Sequence, residues 1–245
     1  MYHTADEIKE IAKKLKDNGI KLSAVGSPIG KVQIADDFAP HLELFKHTVE
    51  AAHILSTKNI RMFSFFIPKG EPAAKYKNEV YSRLDKMLTI AKTGGVKCCH
   101  ENERDIYGDT AQRCLELLSD FRGRMYGIFD PANYILCGVK PPEVFNKFLD
   151  CTEYFHIKDA VAASGKIVPA GKGEGGIEQM LTKFYDKANG TILTVEPHLH
   201  VFKGFTELEK NGKLDSYTYR SNAEAFDDAV LHLKELLNKR SLKYE

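Results

Sequence analysis

Four segments of this chain are apolar runs that finish on a residue able to ligate a metal: VKCCHE (96–101), MYGIFD (125–130), YFHIKD (154–159) and TILTVEPH (191–198). The donors they offer are Glu101, Asp130, His156 and Glu196. A run built this way buries its body and presents its last side chains at a rim. Three carboxylates and one imidazole form a hard, oxygen-rich set suited to Mn²⁺, Mg²⁺ or Zn²⁺, with no handle for a soft metal. Taken singly, each residue has an ordinary explanation: a solvated strand end, a core histidine, a turn-forming aspartate before Pro131. Their recurrence at the same end of successive strands points to one shared divalent ion at the mouth of a barrel.

Other residues stand close to these four in sequence. His198 lies two positions after Glu196 and Lys158 two after His156, so each shares the strand face of its predecessor. Asn133, three after Asp130, can hydrogen-bond a bound substrate or serve a turn. Asn133, Lys158 and His198 are therefore the candidate substrate contacts. His100 alternates away from Glu101 and is expected to pack in the outer layer, and Asp159 is expected to cap or to form a salt bridge. Arg61 and Lys31 read as salt-bridge members near strand ends, and Phe63 and Phe65 as core or pocket wall. The Gly-rich stretch VPAGKGEGG (168–176) is weak evidence for phosphate binding, and it lacks the surroundings of a dinucleotide fingerprint.

The elements that must carry these residues alternate. Thr4 and Glu7 make a capping box for a first helix that stops at Asn18-Gly19. Strands are expected at 21–26, 60–65 and in the four segments above, with starts about 29 to 39 residues apart, the length of one βα unit. Helices are expected over 38–57 and 73–93, after an Asp109 cap, after Pro141-Pro142, near 177–189 and after a polar loop at 203–219. With 245 residues and no linker, one α/β barrel domain over 1–245 is the expectation. A closed eight-stranded barrel needs two strands more than these six, and the shortfall lies at the front. Open edges of such a sheet associate, so a homo-oligomer is expected.

Composition narrows the function classes. Lys+Arg total 35 against 34 Asp+Glu, a net charge of +1 that gives no reason to expect nucleic acid or an anionic membrane as partner. No apolar run is long enough to span a bilayer, and the N-terminus lacks a signal-peptide core. Five cysteines without C-x-x-C spacing read as reduced thiols of a cytoplasmic protein.

The segments HENE (100–103), FDPAN (129–133), HIKDA (156–160), PAGKGEG (169–175) and EPH (196–198), with SPIGK (27–31) and IRMFSF (60–65), resemble the xylose isomerase-like TIM barrels, the sugar phosphate isomerase/epimerase group, over residues 4–240. That resemblance implies a barrel without its first two strands and one divalent cation, Mn²⁺ first with Mg²⁺, Zn²⁺ or Co²⁺ as alternatives, on Glu101, Asp130, His156 and Glu196. It implies an isomerase or epimerase acting on a ketose, sugar phosphate or related hydroxyketone, with Glu101 and Glu196 as the acid/base pair around a metal-stabilised enediolate. A dehydratase of the keto-inositol type would use the same site, and a shortened, non-catalytic barrel is the other alternative. Abasic-site endonucleases share the barrel but need a His-rich, multi-zinc cluster, and Asn133 stands where they carry a histidine.

Overall fold

Short parallel strands, each followed by a helix, set the frame of this chain. The computed structural model describes residues 3–187, 191–199 and 219–245. The chain divides into two compact units, residues 1–128 and 129–245.

The first unit opens with α1 (Ala5–Asp17). Its entry is the expected capping box, with the Thr4 hydroxyl accepting from the Glu7 N–H and the Glu7 carboxylate accepting from the Thr4 N–H. The unit continues with α2 (Ala39–Ile54), β1 (Asn59–Met62), α3 (Lys77–Thr93), β2 (Lys97–Glu101), α4 (Ala111–Asp120) and β3 (Met125–Phe129), whose last residue begins the second unit. β1 pairs with β2 and β2 with β3, both parallel, in a register that sets Arg61 beside Cys99 and Glu101 beside Ile128. Ile60, Met62 and Cys98 share one face of the strands and are buried, as are Val80, Leu84, Met87 and Leu88 of α3, while Cys99 is buried on the opposite face.

The strand expected at 21–26 is reduced to a single bridge between Val25 and Ile60. The reason is side-chain competition for ladder acceptors. The Ser23 carbonyl takes hydrogen bonds from Thr57 Oγ1 and Asn59 Nδ2, and the Ser27 hydroxyl donates to the Arg61 carbonyl. Pro28 follows without an N–H to give. The segment still covers the edge of β1, where the Val25 N–H donates to the Asn59 carbonyl and the Arg61 N–H to the Val25 carbonyl, and just beyond the strand Phe63 and Phe65 donate to the carbonyls of Ile29 and Gly30. At Gly30 (φ +87°) an added Cβ would lie 2.1 Å from the Phe63 carbonyl oxygen, so only glycine fits. α4 also starts one residue later than expected: Thr110, not Asp109, caps it, while Asp109 pairs with Arg113.

In the second unit β4 (Thr152–Ile157) pairs in parallel with β7 (Leu193–Val195). Around them come α5 (Pro131–Leu136), α6 (Pro141–Val144), α7 (Ile177–Lys187) and α8 (Asn222–Lys239). The helix expected after Pro141-Pro142 is a single turn that tightens to 3₁₀ at Phe145–Lys147. An aromatic cluster fills the core: Phe129 lies 5.0 Å from Tyr134 and from Phe145 and 5.6 Å from Phe155, ring centre to ring centre, and Phe155 lies 5.2 Å from Phe184. Two strands were not anticipated, β5 (Asp159–Val161) and β6 (Lys166–Val168), an antiparallel pair that begins where β4 was expected to end. The polar loop expected at 203–219 lies outside the described residues except for Tyr219. Among the described residues no helix is long and apolar enough to cross a membrane.

One buried histidine ties pH to the stability of the first unit. His41 Nε2 accepts the Gly30 N–H at 2.8 Å, which requires the neutral ring. Burial, with Arg83 nearby, lowers its pKa. A folded pKa below the unfolded value of about 6.5 gives stability that is full above that pH and drains as pH falls below it. The urea midpoint should therefore fall between pH 7.5 and 5.5, and fall less in His41→Gln, which accepts the same bond without titrating. Equal losses in the two proteins would remove His41 from the account.

Candidate metal centre

Strand register explains why side chains meet in the second unit. His156 lies opposite Thr194 and Ile157 opposite Val195, and the pairing continues one step as the Glu196 N–H donates to the Ile157 carbonyl. Lys158 and Glu196 are therefore neighbours just beyond the C-terminal ends of β4 and β7. His156 shares the face of Lys158 by the two-residue period of a strand. Asp130 ends the run that contains β3 and caps α5, with Oδ1 accepting the Asn133 N–H at 2.9 Å. That bond fixes the carboxylate and turns Oδ2 toward the other residues.

The result is a tight ionic cluster. Lys158 Nζ lies 2.8 Å from Asp130 Oδ2 and 3.3 Å from Glu196 Oε2. His156 Nδ1 lies 3.1 Å from Glu196 Oε2 and 3.9 Å from Asp130 Oδ2, and His198 Nε2 lies 3.8 Å from Glu196 Oε1. The Asp130 side chain is fully buried and those of His156 and Lys158 are 4 % exposed, while Glu196 keeps 21 % toward solvent. Burial pushes the Glu196 carboxyl up, but Lys158, His156 and His198 outweigh it and hold the group well below the usual carboxylate range. Glu196 is thus ionised at neutral pH.

Asp130, His156 and Glu196 each offer one ligand atom, and these atoms lie within 4.8 Å of one another. Ligands about 2.0–2.3 Å from one divalent ion are separated by about 3 to 4.6 Å, so the spacing suits a common ion. Two carboxylate oxygens and an imidazole nitrogen are also the donors that Mn²⁺, Mg²⁺ and Zn²⁺ accept. The three residues therefore fit such an ion.

Glu101 belongs to the first unit, at the C-terminal end of β2. Its side chain is 3 % exposed and faces Arg61 Nη1 at 3.3 Å. Lys31 pairs with Glu103 at 2.9 Å, and its ammonium stands 4.3 Å from the centre of the Phe63 ring. Arg61 and Lys31 thus take the ion-pair roles expected of them. His100 packs away from Glu101, with Nε2 3.0 Å from the Ser64 hydroxyl, and burial holds its pKa down to about 4 against the pull of Glu101.

The substrate-contact candidates sort differently. Lys158 and His198 stand in the cluster. Asn133 is 5 % exposed in the first turn of α5, where its backbone serves the Asp130 cap. FDPAN, for which a turn was the ordinary alternative, is a helix start. The Gly-rich stretch is organised by a residue that sequence reasoning placed only as a cap or salt-bridge member. Asp159 Oδ2 accepts the N–H groups of Gly171 and Gly173, and Oδ1 those of Gly175 and Ala160, at 2.8 to 3.1 Å. The signal was the two-residue spacing of the glycines, which lets alternate N–H groups turn to one side. At Gly173 and Gly175 an added Cβ would come within 2.5 and 2.7 Å of Asp159 Oδ1. Amides that could have met a phosphate are thus committed to an internal carboxylate.

The family model described as "xylose isomerase-like TIM barrel" matches residues 2–236. The chain belongs to this family. Solved structures agree on the barrel fold. A D-tagatose 3-epimerase-like protein superposes with a TM-score of 0.73 at 18 % identity, covering 97 % of this chain and 85 % of its own. A xylose isomerase domain protein from Planctomyces limnophilus gives 0.73 at 21 %, with the same coverage. The IOLI protein, solved with a zinc atom, gives 0.73 at 15 %, covering 97 % and 83 %. No curated protein sequence matches the chain. At these identities the likeness establishes the xylose isomerase-like barrel and nothing narrower.

Removing the carboxylate of Asp159 leaves the amides of Ala160 and Gly175, both buried, without their acceptor. Asp159→Ala should lose about 2–4 kcal/mol in urea unfolding. Its amide exchange should accelerate first over residues 171–175. A loss below about 0.5 kcal/mol would contradict the assigned role.

Proposed function

We propose that the chain is a divalent-metal-dependent epimerase or isomerase of a ketose or related hydroxyketone, working by removal and return of a proton beside the carbonyl. The observation that carries the reading is the convergence of Asp130 Oδ2, His156 Nδ1 and Glu196 Oε2 at strand ends of a xylose isomerase-like barrel. Glu101 is proposed as the fourth ligand. Its register partner Ile128 lies two residues before Asp130 and so points to the same face of the sheet. Neighbours of the same fold include an L-ribulose 3-epimerase and a D-psicose 3-epimerase solved with D-fructose, and others were solved with zinc or magnesium.

When bound, the ion supplies Lewis acidity, polarising a carbonyl and making the adjacent C–H more acidic. The chain's own residues do the rest. Glu196, kept ionised by its neighbours, is in the state a base requires. Glu101 and Glu196 form the proposed acid/base pair, one taking the proton and the other returning it. Asp130 and His156, both buried, hold position and exclude water. Asn133, Lys158 and His198 remain the proposed substrate contacts. The same proton abstraction would serve a dehydratase, and a probable 3-DHS dehydratase shares the fold with a TM-score of 0.68. The exposed edge of Glu196 favours a proton that exchanges with solvent, as epimerisation needs.

The test is deuterium incorporation from D₂O beside the carbonyl of a ketohexose and ketopentose panel, followed by NMR with Mn²⁺, Mg²⁺, Co²⁺ or Zn²⁺ added. At least one ketose should exchange and epimerise. EDTA should stop the reaction, and E101Q, E196Q and H156A should each lower the rate by about 10²-fold or more. No exchange with any ketose and any of the four ions would sink the reading.

A further inference from the structure

A role as substrate contact does not account for the burial of Lys158 between carboxylates, and its surroundings are unusual for a lysine. The side chain is 4 % exposed, and lysine is almost never buried this far unless paired. Its ammonium addresses Asp130 Oδ2 and Glu196 Oε2, at 2.8 and 3.3 Å. These are the same two oxygens that face His156 Nδ1, at 3.9 and 3.1 Å. The lysine therefore competes for the donor atoms assigned to the ion rather than for a spare oxygen on the far side of either carboxylate. Asp130 Oδ1 accepts the Asn133 N–H in the cap of α5, and Oδ2 is the oxygen that faces both cations.

From this placement we infer that Lys158 is an internal counter-cation that exchanges with the divalent ion: it holds Asp130 and Glu196 together while no ion is bound, and it yields their oxygens when one enters. The inference rests on the metal centre proposed above. Its physical basis is Coulombic. Two buried carboxylates with no positive charge between them repel each other and lack solvation, so the ammonium stabilises the ion-free protein. A single charge a few ångströms from a double charge repels it strongly in a protein interior, so the same ammonium weakens loading. The flexible four-carbon stem lets the charge move aside without moving β4. A lysine with only a structural role would act in one direction: its loss would loosen the fold and weaken the ion together.

The experiment compares full-length wild type, K158M, K158Q and, as a ligand control, E196Q. Each is stripped with EDTA and titrated with Mn²⁺, with free Mn²⁺ read by electron paramagnetic resonance, and thermal midpoints are taken in EDTA and in saturating Mn²⁺. K158M and K158Q should bind Mn²⁺ at least tenfold more tightly than wild type, while their midpoints in EDTA fall below it and recover in Mn²⁺. K158Q keeps a hydrogen-bond donor without the charge, so agreement between the two assigns the effect to charge. If K158M does not fold in EDTA, chelator competition starting from Mn²⁺-loaded K158Q supplies the comparison. Unchanged or weaker Mn²⁺ binding by the lysine variants, with wild type binding and E196Q not, overturns the exchange and leaves the metal centre standing. Failure of wild type to bind Mn²⁺ saturably removes the metal centre itself, and the exchange with it.

Discussion

The second unit is organised by the need to neutralise buried negative charge. Asp130 and Asp159 are fully buried and Glu196 is partly buried, and an uncompensated buried carboxylate costs several kcal/mol. The chain meets this demand in two ways. Asp159 is surrounded by backbone N–H dipoles, which stabilise the anion without adding net charge. Asp130 and Glu196 are met by a full positive charge and a titratable ring. The first solution is fixed, because amides cannot be exchanged for another cation. The second is exchangeable. Under the proposed reading, that difference separates a carboxylate that builds the fold from carboxylates that hold an ion.

The backbone follows from these requirements. Asp159 can collect N–H groups from a loop only if the loop comes within van der Waals distance of its oxygens, and alternate glycines allow that approach. Asp130 can serve two masters because a helix begins at Pro131, where the missing proline N–H is no loss and the Asn133 N–H needs an acceptor. The cap takes one oxygen and leaves the other for the centre. Glu196 reaches Lys158 because β7 pairs with β4 in a register that continues past Val195. In each case a local rule of secondary structure sets the position of a charged atom to within a hydrogen bond.

These rules were unevenly legible in the sequence. The strand ends carrying Glu101, Asp130, His156 and Glu196 were readable because an apolar run that stops on a donor is a contiguous pattern. The first helix was readable because Thr4 and Glu7 form a box within four residues. The strand at 21–26 was misjudged because its Ser23 carbonyl is taken by Thr57 and Asn59, more than thirty residues away, a competition that no local pattern reveals. The helix at Pro131 was not anticipated because a six-residue element shows little of the apolar period. The β5–β6 pair was missed for a similar reason: three-residue strands are too short to alternate visibly. Lys158 was visible as a face-mate of His156, but its choice between substrate and carboxylate depends on which oxygens face it, which is a tertiary fact.

Charge pairing in the first unit also bears on the substrate. Under the proposed reading the Glu101 end of β2 faces the reacting sugar, with Arg61 and Lys31 close by in the same unit. Both cations already face glutamates of the HENE segment, and both lie against Phe63. A phosphate on the substrate would have to displace Glu101 or Glu103 from its partner before it gained a cation, and the Gly-rich amides are held by Asp159. A neutral polyol makes no such demand. The internal compensation of these charges is the same device that balances the second unit.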